Sequence, residues 1–315
     1  MIRVPRIFVS IASYRDRELP FTIQDLLAKA KRPELIRIGV LAQVNLATDT
    51  DCLYQGDHRV QQLVVPHTAS RGACWARAKI INQLMGDEDY FLQIDSHSRF
   101  VQDWDDILFK AHCDVGDPKA IFSCYPVDYK PPDKLGVLVY VYHRTKKFAQ
   151  DKLPVIESDT KPFSAAPKEA KPNALFAGGC TFGPSEAFRQ VKYDPNLYFI
   201  GEEITMAVRL WTHGWNIYTP PIGFMYHNYN THEKENKRPL HWEDRPQWGA
   251  QNRIAMKRVR HILGIEESDT DEALVNLDLY GLGTQRTLQE FESFSGIYFK
   301  EQRLEEKAFF GNFGY

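Results

Sequence analysis

Hydrophobic and polar positions follow two different periods along the first third of the chain. Four apolar, β-branched runs predict strands, at 6–12, 35–42, 60–66 and 90–94. Apolar positions at helical spacing predict amphipathic helices over 21–31 and 72–84. Strands that alternate with helices in this way are typical of an α/β fold, so we expect a mixed, mostly parallel sheet flanked by helices.

The remainder of the chain continues this pattern around one unusual segment. Further helices are predicted at 103–112 and 204–211, and further strands at 120–125, 137–142 and 216–219. The segment 128–173 is rich in proline and lysine, which predicts an insertion or a mobile flap. We therefore expect one domain over 1–265, followed by an acidic, loop-like stretch and a carboxyl-terminal extension, 266–315, that packs on it.

Composition excludes several broad classes of protein. The 315 residues are 43% hydrophobic and 13% aromatic, which is enough for a substantial core. A net charge of −2 gives no overall attraction to nucleic acid or to an anionic membrane. No window of roughly 18 apolar residues predicts a membrane span, and the amino terminus does not resemble a signal peptide. We expect a cytoplasmic protein whose five cysteines, odd in number, are reduced and mostly buried.

The first candidate site follows the strand at 90–94, where Asp95, Ser96 and His97 come in succession. Residues two apart on an extended chain point the same way, so Asp95 and His97 can share one divalent ion. A carboxylate and an imidazole together suit Mn²⁺. The alternative is structural, with Asp95 capping the next turn and His97 in solvent.

A third metal ligand is expected from a histidine-bearing segment late in the chain. His227 follows a predicted strand and a Pro-Pro turn, and His232 lies a few residues beyond it. Either histidine can complete the set, and the sequence leaves the choice open. A single histidine in such a segment is more often structural, so its interest depends on Asp95 and His97.

Two segments are candidates for binding an anionic ligand. Ser13, Tyr14 and Arg15 follow the first strand, at the edge where open α/β sheets bind ligands. Arg71 and Arg77 lie at the start of the helix over 72–84, where unpaired N–H groups favour an anion. The structural alternative is that Arg71 and Arg77 pair with surface carboxylates.

Tandem glycines and an acidic pair form the last candidate. Gly178 and Gly179 lack side chains, so a ligand can approach their backbone closely. Glu202 and Glu203 follow Gly201 at the start of a predicted helix. Glutamate is also common in a first helical turn for purely structural reasons, so only one of the pair need be functional.

The order of these motifs resembles that of metal-dependent glycosyltransferases of the glycosyltransferase-A fold. The segment 201–215 is similar to a segment of polypeptide N-acetylgalactosaminyltransferases, which also use Asp-x-His and a distant histidine. The closer resemblance is to the cytoplasmic family that adds GlcNAc to hydroxyproline on an F-box-associated ubiquitin-ligase adaptor. It is carried by four segments, at 9–16, 71–73, 93–97 and 280–296.

This resemblance implies a Rossmann-like sheet of the glycosyltransferase-A type and a UDP-sugar donor, with GlcNAc as the expected sugar. It implies that Asp95, His97 and His227 hold Mn²⁺ or Mg²⁺. The acceptor would be a hydroxyl of a protein or a glycan, near the segment 128–173, and the anomeric configuration would be retained.

The resemblance also assigns roles to the other candidates. The catalytic residues would be Asp95 together with Glu202 or Glu203. The donor would be bound by Ser13, Tyr14, Arg15, Arg71, Arg77, Asp95, Ser96, Gly178 and Gly179.

Two other functions are compatible with parts of the pattern. A nucleotidyltransferase that makes nucleotide-sugars has a similar sheet and metal, but its first loop is usually rich in glycine, and 12–16 contains none. A non-catalytic carbohydrate-binding protein would account for the 15 tyrosines and 6 tryptophans, but not for the ordered metal-type ligands.

Overall fold

A computed structural model describes residues 5–229 and 238–314 of the chain. The strands are β1 (Ile7–Tyr14), β2 (Ile36–Val44), β3 (Val60–Pro66), β4 (Tyr90–Asp95), β5 (Ser98–Phe100), β6 (Ala120–Ser123), β7 (Val127–Lys130), β8 (Lys134–Leu135), β9 (Tyr140–Phe148), β10 (Pro154–Lys161), β11 (Lys171–Asn173), β12 (Cys180–Pro184), β13 (Asn216–Thr219), β14 (Met225–His227), β15 (Ile297–Tyr298) and β16 (Arg303–Leu304). The helices are α1 (Leu19–Lys29), α2 (Ala73–Leu84), α3 (Trp104–Asp114), α4 (Ser185–Gln190), α5 (Glu202–Thr212), α6 (Trp248–Ile262), α7 (Asp271–Leu274), α8 (Leu277–Tyr280), α9 (Leu288–Ser295) and α10 (Glu306–Phe310).

An eight-stranded mixed sheet forms the centre of the fold, in the order β11-β13-β6-β12-β4-β1-β2-β3. β1 pairs in parallel with β2 and β4, β2 with β3, and β13 with β6. β12 runs antiparallel to both of its neighbours, β4 and β6. The predicted α/β fold with a mixed, mostly parallel sheet is therefore confirmed.

Alternation along β1 explains why helices cover both faces of this sheet. Ile7, Val9 and Ile11 point to one face and are buried in a cluster with residues of α1. Phe8 points to the other face and is buried with residues of α2 and α5. Successive side chains of a strand point to opposite faces, so a strand that is apolar at every position needs cover on both.

A small second sheet, in the order β5-β14-β7-β8, carries part of the candidate site. The chain turns directly after β4 into β5, which runs antiparallel to β14. In this register Ser98 lies opposite His227. Two strands far apart in sequence thus place His227 beside the end of β4.

The proline- and lysine-rich segment is largely β structure. The predicted strand at 137–142 overlaps β9, and β9 pairs with β10 in an antiparallel hairpin. The turn of this hairpin is fixed by hydrogen bonds between Ala149 and Leu153 and between Lys152 and Ala149. Whether the segment acts as an insertion or as a flap stays a prediction.

The carboxyl-terminal part of the chain contains more helix than predicted. α6 was not expected, and beyond the acidic loop at 266–270 the chain forms α7 to α10. The ring of Phe294 in α9 stacks on Trp211 of α5 at 4.4 Å, and both belong to one hydrophobic cluster. A division at residue 265 stays a prediction. Within the described residues, no helix combines the length and apolar character that crossing a membrane requires.

Candidate active site

A cavity of about 570 Å³ opens at the carboxyl ends of β1 and β4. This is the edge at which open α/β sheets bind ligands. Residues from most of the candidate motifs line it, and they come from segments throughout the chain. They include Tyr14, Asp16, Gln43, Ser70, Gly72, Arg77, Asp95, Ser96, His97, Gly178, Gly179, Glu202, Glu203, His227 and Arg238.

Asp95, His97 and His227 converge at the floor of this cavity. One possible ligand atom from each residue lies within 4.8 Å of the others. His227 Nε2 is 3.1 Å from Asp95 Oδ2, and the two imidazole rings are 4.6 Å apart. His232 lies outside the described residues, so the structure places His227 with the pair and gives no comparison with His232.

Asp16 fixes the orientation of His97, a role that the sequence analysis missed. His97 Nδ1 and Ser96 Oγ both lie 2.7 Å from Asp16 Oδ2. Burial and the nearby charge of Arg238 lower the pKa of His97 to about 4, even though Asp16 opposes this. The imidazole is therefore neutral near pH 7 and donates its Nδ1–H to Asp16, so the lone pair is on Nε2.

The donor set fits a divalent cation. Burial alone would raise the pKa of Asp95, but a hydrogen bond from His227 and the charge of Arg77 outweigh it and hold the pKa well below its usual range. An ionised carboxylate and two imidazoles match the mixed oxygen and nitrogen preference of Mn²⁺. Ligation through His227 Nε2 would replace its hydrogen bond to Asp95 Oδ2, and His227 Nδ1 is buried and has no hydrogen-bond partner among the described residues.

Arg77 lies beneath this cluster, near the start of α2, and its expected role in donor binding stays a prediction. Its guanidinium donates to Asp95 Oδ1 at 3.0 Å and also pairs with Glu202. The side chains of Arg77 and Glu202 are only 6% and 4% exposed. The alternative of a surface pair is therefore wrong for Arg77, because both of its partners belong to the site. Arg71 is exposed and is not part of the described cavity wall.

Close packing explains both tandem glycines. A Cβ on Gly179 would lie 2.6 Å from Asp95 Oδ2, and a Cβ on Gly178 would lie 2.8 Å from Arg77 and Glu202. The backbone at these positions therefore approaches the site's own side chains. Close approach of a sugar to the same backbone, as the sequence analysis expected, stays a prediction.

Glu202 and Glu203 occupy different environments although they are adjacent. Glu202 accepts hydrogen bonds from Arg77, from Tyr193 at 3.0 Å and from the Cys74 thiol at 3.4 Å. Glu203 accepts from the Tyr125 hydroxyl at 2.6 Å and from the Gly178 N–H at 2.8 Å. Burial raises the pKa of Glu203 to about 7, although both hydrogen bonds act in the opposite direction.

Only some of the residues at the end of β1 and in the loop after it line the cavity. Tyr14 lines the cavity and donates its hydroxyl to Asp244 at 3.0 Å. Arg15 pairs with Asp244 at 2.8 Å and with Asp49 at 2.7 Å. Ser13 is buried within β1. Neither Ser13 nor Arg15 belongs to the described cavity wall, and their expected roles in donor binding stay predictions.

Arg238 is a second residue that the sequence analysis missed. Its guanidinium lines the cavity 3.5 Å from Asp16, and its Nη2 donates to the Asn228 carbonyl at 3.2 Å. Its Nε and Nη1 are buried without a hydrogen-bond partner among the described residues. Such donors suit an anion that enters the cavity beside the metal cluster. No sequence motif marked Arg238, because its position depends on how the chain returns after His227.

The far side of the cavity has a different character. It is formed by the turn between β9 and β10 and by the loop that precedes α5, and most of these residues are apolar or aromatic. They include Ala149, Asp151, Leu153, Pro154, Ile156, Phe199 and Ile200. The segment 128–173 therefore contributes directly to the cavity.

Two solved structures are similar to this one at low sequence identity. A structure of GalNAc-T7 with UDP, GalNAc and Mn²⁺ is similar with a TM-score of 0.58 and 12% identity, covering 93% of this chain. This chain spans 57% of the length of the GalNAc-T7 chain. S. aureus TarS in complex with UDP-GlcNAc gives a TM-score of 0.47 at 11% identity, covering 85% of this chain and 69% of that chain.

The sequence itself matches one family model over most of its length. No curated protein matches the chain. The model described as Glycosyltransferase (GlcNAc) matches residues 6–58 and 54–301, which span the sheet, the metal-type cluster and most of the carboxyl-terminal helices. The predicted enzyme class is confirmed, and the chain belongs to the Glycosyltransferase (GlcNAc) family.

Proposed function

We propose that the protein is a metal-dependent, retaining glycosyltransferase that moves GlcNAc from UDP-GlcNAc to a hydroxyl of a protein or a glycan. The observation that carries this proposal is the convergence of Asp95, His97 and His227 at the floor of the cavity. Family membership supports the transferase class. The GalNAc-T7 structure, which contains UDP and Mn²⁺, supports the choice of nucleotide and cation.

A divalent cation bound by Asp95, His97 and His227 would neutralise the charge that develops on a leaving diphosphate. The chain's own residues prepare the site for this chemistry. Asp16 holds His97 in the tautomer that exposes Nε2. Arg77 keeps Asp95 ionised. Gly179 has no side chain and so leaves space for the Asp95 carboxylate.

The donor is bound along the near side of the cavity. Tyr14 and Gln43 line the part next to β1 and β2, where a base can lie against the tyrosine ring. The buried Nε and Nη1 of Arg238 have no hydrogen-bond partner among the described residues, although Nη1 is 3.5 Å from Asp16. They are suited to the diphosphate, because a guanidinium binds phosphate oxygens in a bidentate way. The amino terminus of α2, at Gly72 and Ala73, adds backbone N–H groups on the same side.

Glu202 and Glu203 serve different purposes in this proposal. Glu202 neutralises Arg77 and is enclosed by Tyr193 and Cys74, so it is a positioning residue. Glu203 borders the cavity between the metal cluster and the apolar wall. We propose that Glu203 binds a hydroxyl of the transferred sugar or of the acceptor. We assign no nucleophile.

The two other functions considered from the sequence receive less support. A nucleotidyltransferase and a non-catalytic carbohydrate-binding protein would both fall outside the family to which the chain belongs. Formation of pyrophosphate from UTP and a sugar phosphate would nevertheless favour the first. Binding of sugars without any hydrolysis of UDP-sugars would favour the second.

The test is a calorimetric titration with UDP-GlcNAc, UDP-GalNAc, UDP-Glc and UDP-Gal, with and without Mn²⁺, followed by a donor-hydrolysis assay. We expect the tightest binding for UDP-GlcNAc, and binding and hydrolysis that both depend on the metal. His97→Ala should abolish hydrolysis. His58→Ala is the matched control, because His58 is 94% exposed and lies far along the chain from the cluster. Equal, weak binding of all four donors regardless of metal, or full hydrolysis by the His97 variant, would overturn the proposal.

A further inference from the structure

Two buried cysteines face each other across neighbouring strands beneath the cavity. β6 and β12 pair in an antiparallel register that sets Ser123 opposite Thr181. The next pair along this register is Cys124 and Cys180, and the Cys124 N–H donates to the Cys180 carbonyl at 3.4 Å. Directly opposed residues lie on the same face of a sheet. Both side chains accordingly belong to one hydrophobic cluster.

The spacing of such a pair is compatible with a covalent bond between the sulfurs. In a hydrogen-bonded antiparallel pair, the Cα atoms are about 5.5 Å apart. Disulfides join residues whose Cα atoms are about 4.4 to 6.8 Å apart. Besides burial, the neighbouring Cys124 side chain also raises the pKa of the Cys180 thiol. The Cα spacing therefore permits a disulfide between Cys124 and Cys180. The Cβ atoms of a hydrogen-bonded pair are about 5.5 Å apart, so the two segments must move closer by about 1 Å to reach the Cβ spacing of a disulfide.

The other cysteines have no such arrangement. Cys52 lies in a short 3₁₀ helix, Cys74 in α2 and Cys113 in α3, so none of the three has a partner in a strand register. Cys113 is exposed, and the other two are buried. Any selective chemistry at Cys124 and Cys180 thus comes from their placement across the strands.

The neighbours of this thiol pair connect it to the candidate active site. Tyr125 follows Cys124 and holds Glu203 through its hydroxyl. Gly179 precedes Cys180 and packs against the carboxylate of Asp95. A bond between the two sulfurs would therefore join the two backbone segments that support Glu203 and Asp95.

We propose that Cys124 and Cys180 form an oxidation site at which a peroxide converts the two thiols into one disulfide. The more accessible thiol, Cys124 at 8% exposure against 2% for Cys180, attacks the peroxide and becomes a sulfenic acid. One oxygen of the peroxide leaves as water. The Cys180 sulfur then displaces the hydroxyl of the sulfenic acid, which leaves as a second water with the Cys180 proton. The two sulfurs together lose two electrons, and the peroxide O–O bond accepts them.

Burial gives this reaction a slow time course. Closure of the disulfide requires attack by the Cys180 sulfur, and a thiolate is the reactive form. Burial holds the pKa of the Cys180 thiol well above its ordinary value. We therefore expect oxidation to need more peroxide or more time than oxidation of the exposed Cys113, and the product to be resistant to exchange with external thiols.

The test uses the full chain with Cys113→Ser, which removes the exposed thiol and its intermolecular products. The protein is treated with hydrogen peroxide, unfolded in iodoacetamide without reductant and digested with a protease. The masses of the peptides are then measured by mass spectrometry. We expect a linked pair of peptides containing residues 124 and 180, lighter by two hydrogens and separated by dithiothreitol. Complete alkylation of both cysteines after prolonged treatment, at a peroxide dose well above the one that oxidises Cys113 in the unaltered chain, would overturn the proposal.

Cys180→Ser in the same background is the control and should give no intramolecular disulfide at residue 124. If that variant does not fold, as judged by circular dichroism, Cys124→Ala gives the same comparison from the other side. A second readout is the affinity for Mn²⁺, which we expect to fall several-fold on oxidation and to recover only after prolonged incubation with dithiothreitol. This readout rests on the proposed metal site, whereas the peptide masses do not. A disulfide that leaves Mn²⁺ affinity unchanged would show that oxidation does not influence the metal site, but it would not contradict the formation of the disulfide.

Discussion

His97 donates its Nδ1 hydrogen to Asp16 across 2.7 Å, although the two residues are 81 positions apart in sequence. Asp16 is buried and also accepts a hydrogen bond from the N–H of Glu18, at the start of α1. The orientation of a metal-type ligand is therefore fixed by the loop that follows the first strand. A carboxylate behind an imidazole in this way holds its tautomer and raises its basicity as a ligand.

We expect Asp16→Asn to weaken Mn²⁺ binding by about 10- to 100-fold, the usual cost of losing such a partner. Asparagine keeps an oxygen for the Glu18 N–H, so the start of α1 should be preserved. Calorimetric titration with Mn²⁺ alone measures the effect. Asp51→Asn is the matched control, because Asp51 is 53% exposed and pairs only with Arg17 among the ion pairs of the described residues. Equal affinities in both variants would show that Asp16 does not support the ligand.

Arg77 is the residue whose loss should most damage the fold around the site. Arg77→Ala leaves Glu202 buried without its cation, and breaking a buried pair in this way costs about 3 to 5 kcal/mol. Arg77→Met combined with Glu202→Gln removes both charges at similar volume, and we expect it to recover most of that loss. Unfolding in urea, with the three proteins compared at one pH, tests this. A double variant as unstable as Arg77→Ala would contradict the explanation.

The pKa of Glu203 predicts a pH dependence of stability with a definite sign. It is raised from an ordinary value of 4.5 to about 7, so between these limits the folded protein binds a proton that the unfolded chain has released. The contribution of Glu203 to stability is therefore largest below pH 4.5 and falls as the pH rises to about 7. A shift of this size corresponds to roughly 3 kcal/mol.

Glu203→Gln removes the ionisable group. The variant is therefore the reference with which the unaltered protein is compared. In the presence of a chelator, the free energy of unfolding of the unaltered protein should decrease, relative to the variant, as the pH rises from 4.5 to 7. A parallel pH dependence of the two proteins would mean that Glu203 has the same pKa in the folded protein as in the unfolded chain. Chelation matters because a bound cation would favour the ionised form.

Arg238 should affect donor binding more than metal binding. Replacing it with alanine removes the buried nitrogens that have no partner among the described residues, and bidentate contacts to a charged group contribute about 1.5 to 3 kcal/mol. We expect Arg238→Ala to weaken UDP-GlcNAc binding by about 10- to 100-fold. Arg303→Ala is the control, because Arg303 is 51% exposed and pairs with Glu305. A loss of Mn²⁺ affinity without a loss of donor affinity would mean that Arg238 acts on the metal cluster through Asp16 instead.

The part of the site that the sequence predicted is the part that depends on local geometry. Asp95 and His97 were predicted as a pair from the two-residue period of an extended chain. The chain in fact bends at Ser96 and His97, so the turn from β4 into β5 brings the two side chains together. His227 was expected only from the order of motifs, and it reaches the cluster through the pairing of β14 with β5. Asp16 and Arg238 were missed because their contacts depend on how distant loops pack, which no spacing encodes.

The elements of the fold that were predicted also differ from those that were missed in how clearly the local sequence marks them. Periodicity predicted the strands and helices of the first third closely, because each is amphipathic or apolar throughout its length. α6 was missed because its 15 residues carry many charged side chains and bury only a few positions. The short helices α7 and α8 have four residues each, which is too few for a hydrophobic period to appear.

Gly179 gives a test of the whole arrangement. A Cβ at this position would lie 2.6 Å from Asp95 Oδ2, and Asp95 cannot move aside freely because Arg77 and His227 both hold it. We expect Gly179→Ala to displace the carboxylate and to weaken Mn²⁺ binding by at least tenfold, while the protein stays folded. Gly249→Ala in α6 is the control, since its Cβ would meet only an ordinary contact at 3.7 Å and alanine favours a helix. Unchanged Mn²⁺ affinity in Gly179→Ala would mean that Asp95 either tolerates displacement or does not bind the ion, and Asp95→Asn would then separate the two, because only a true ligand loses affinity with its charge.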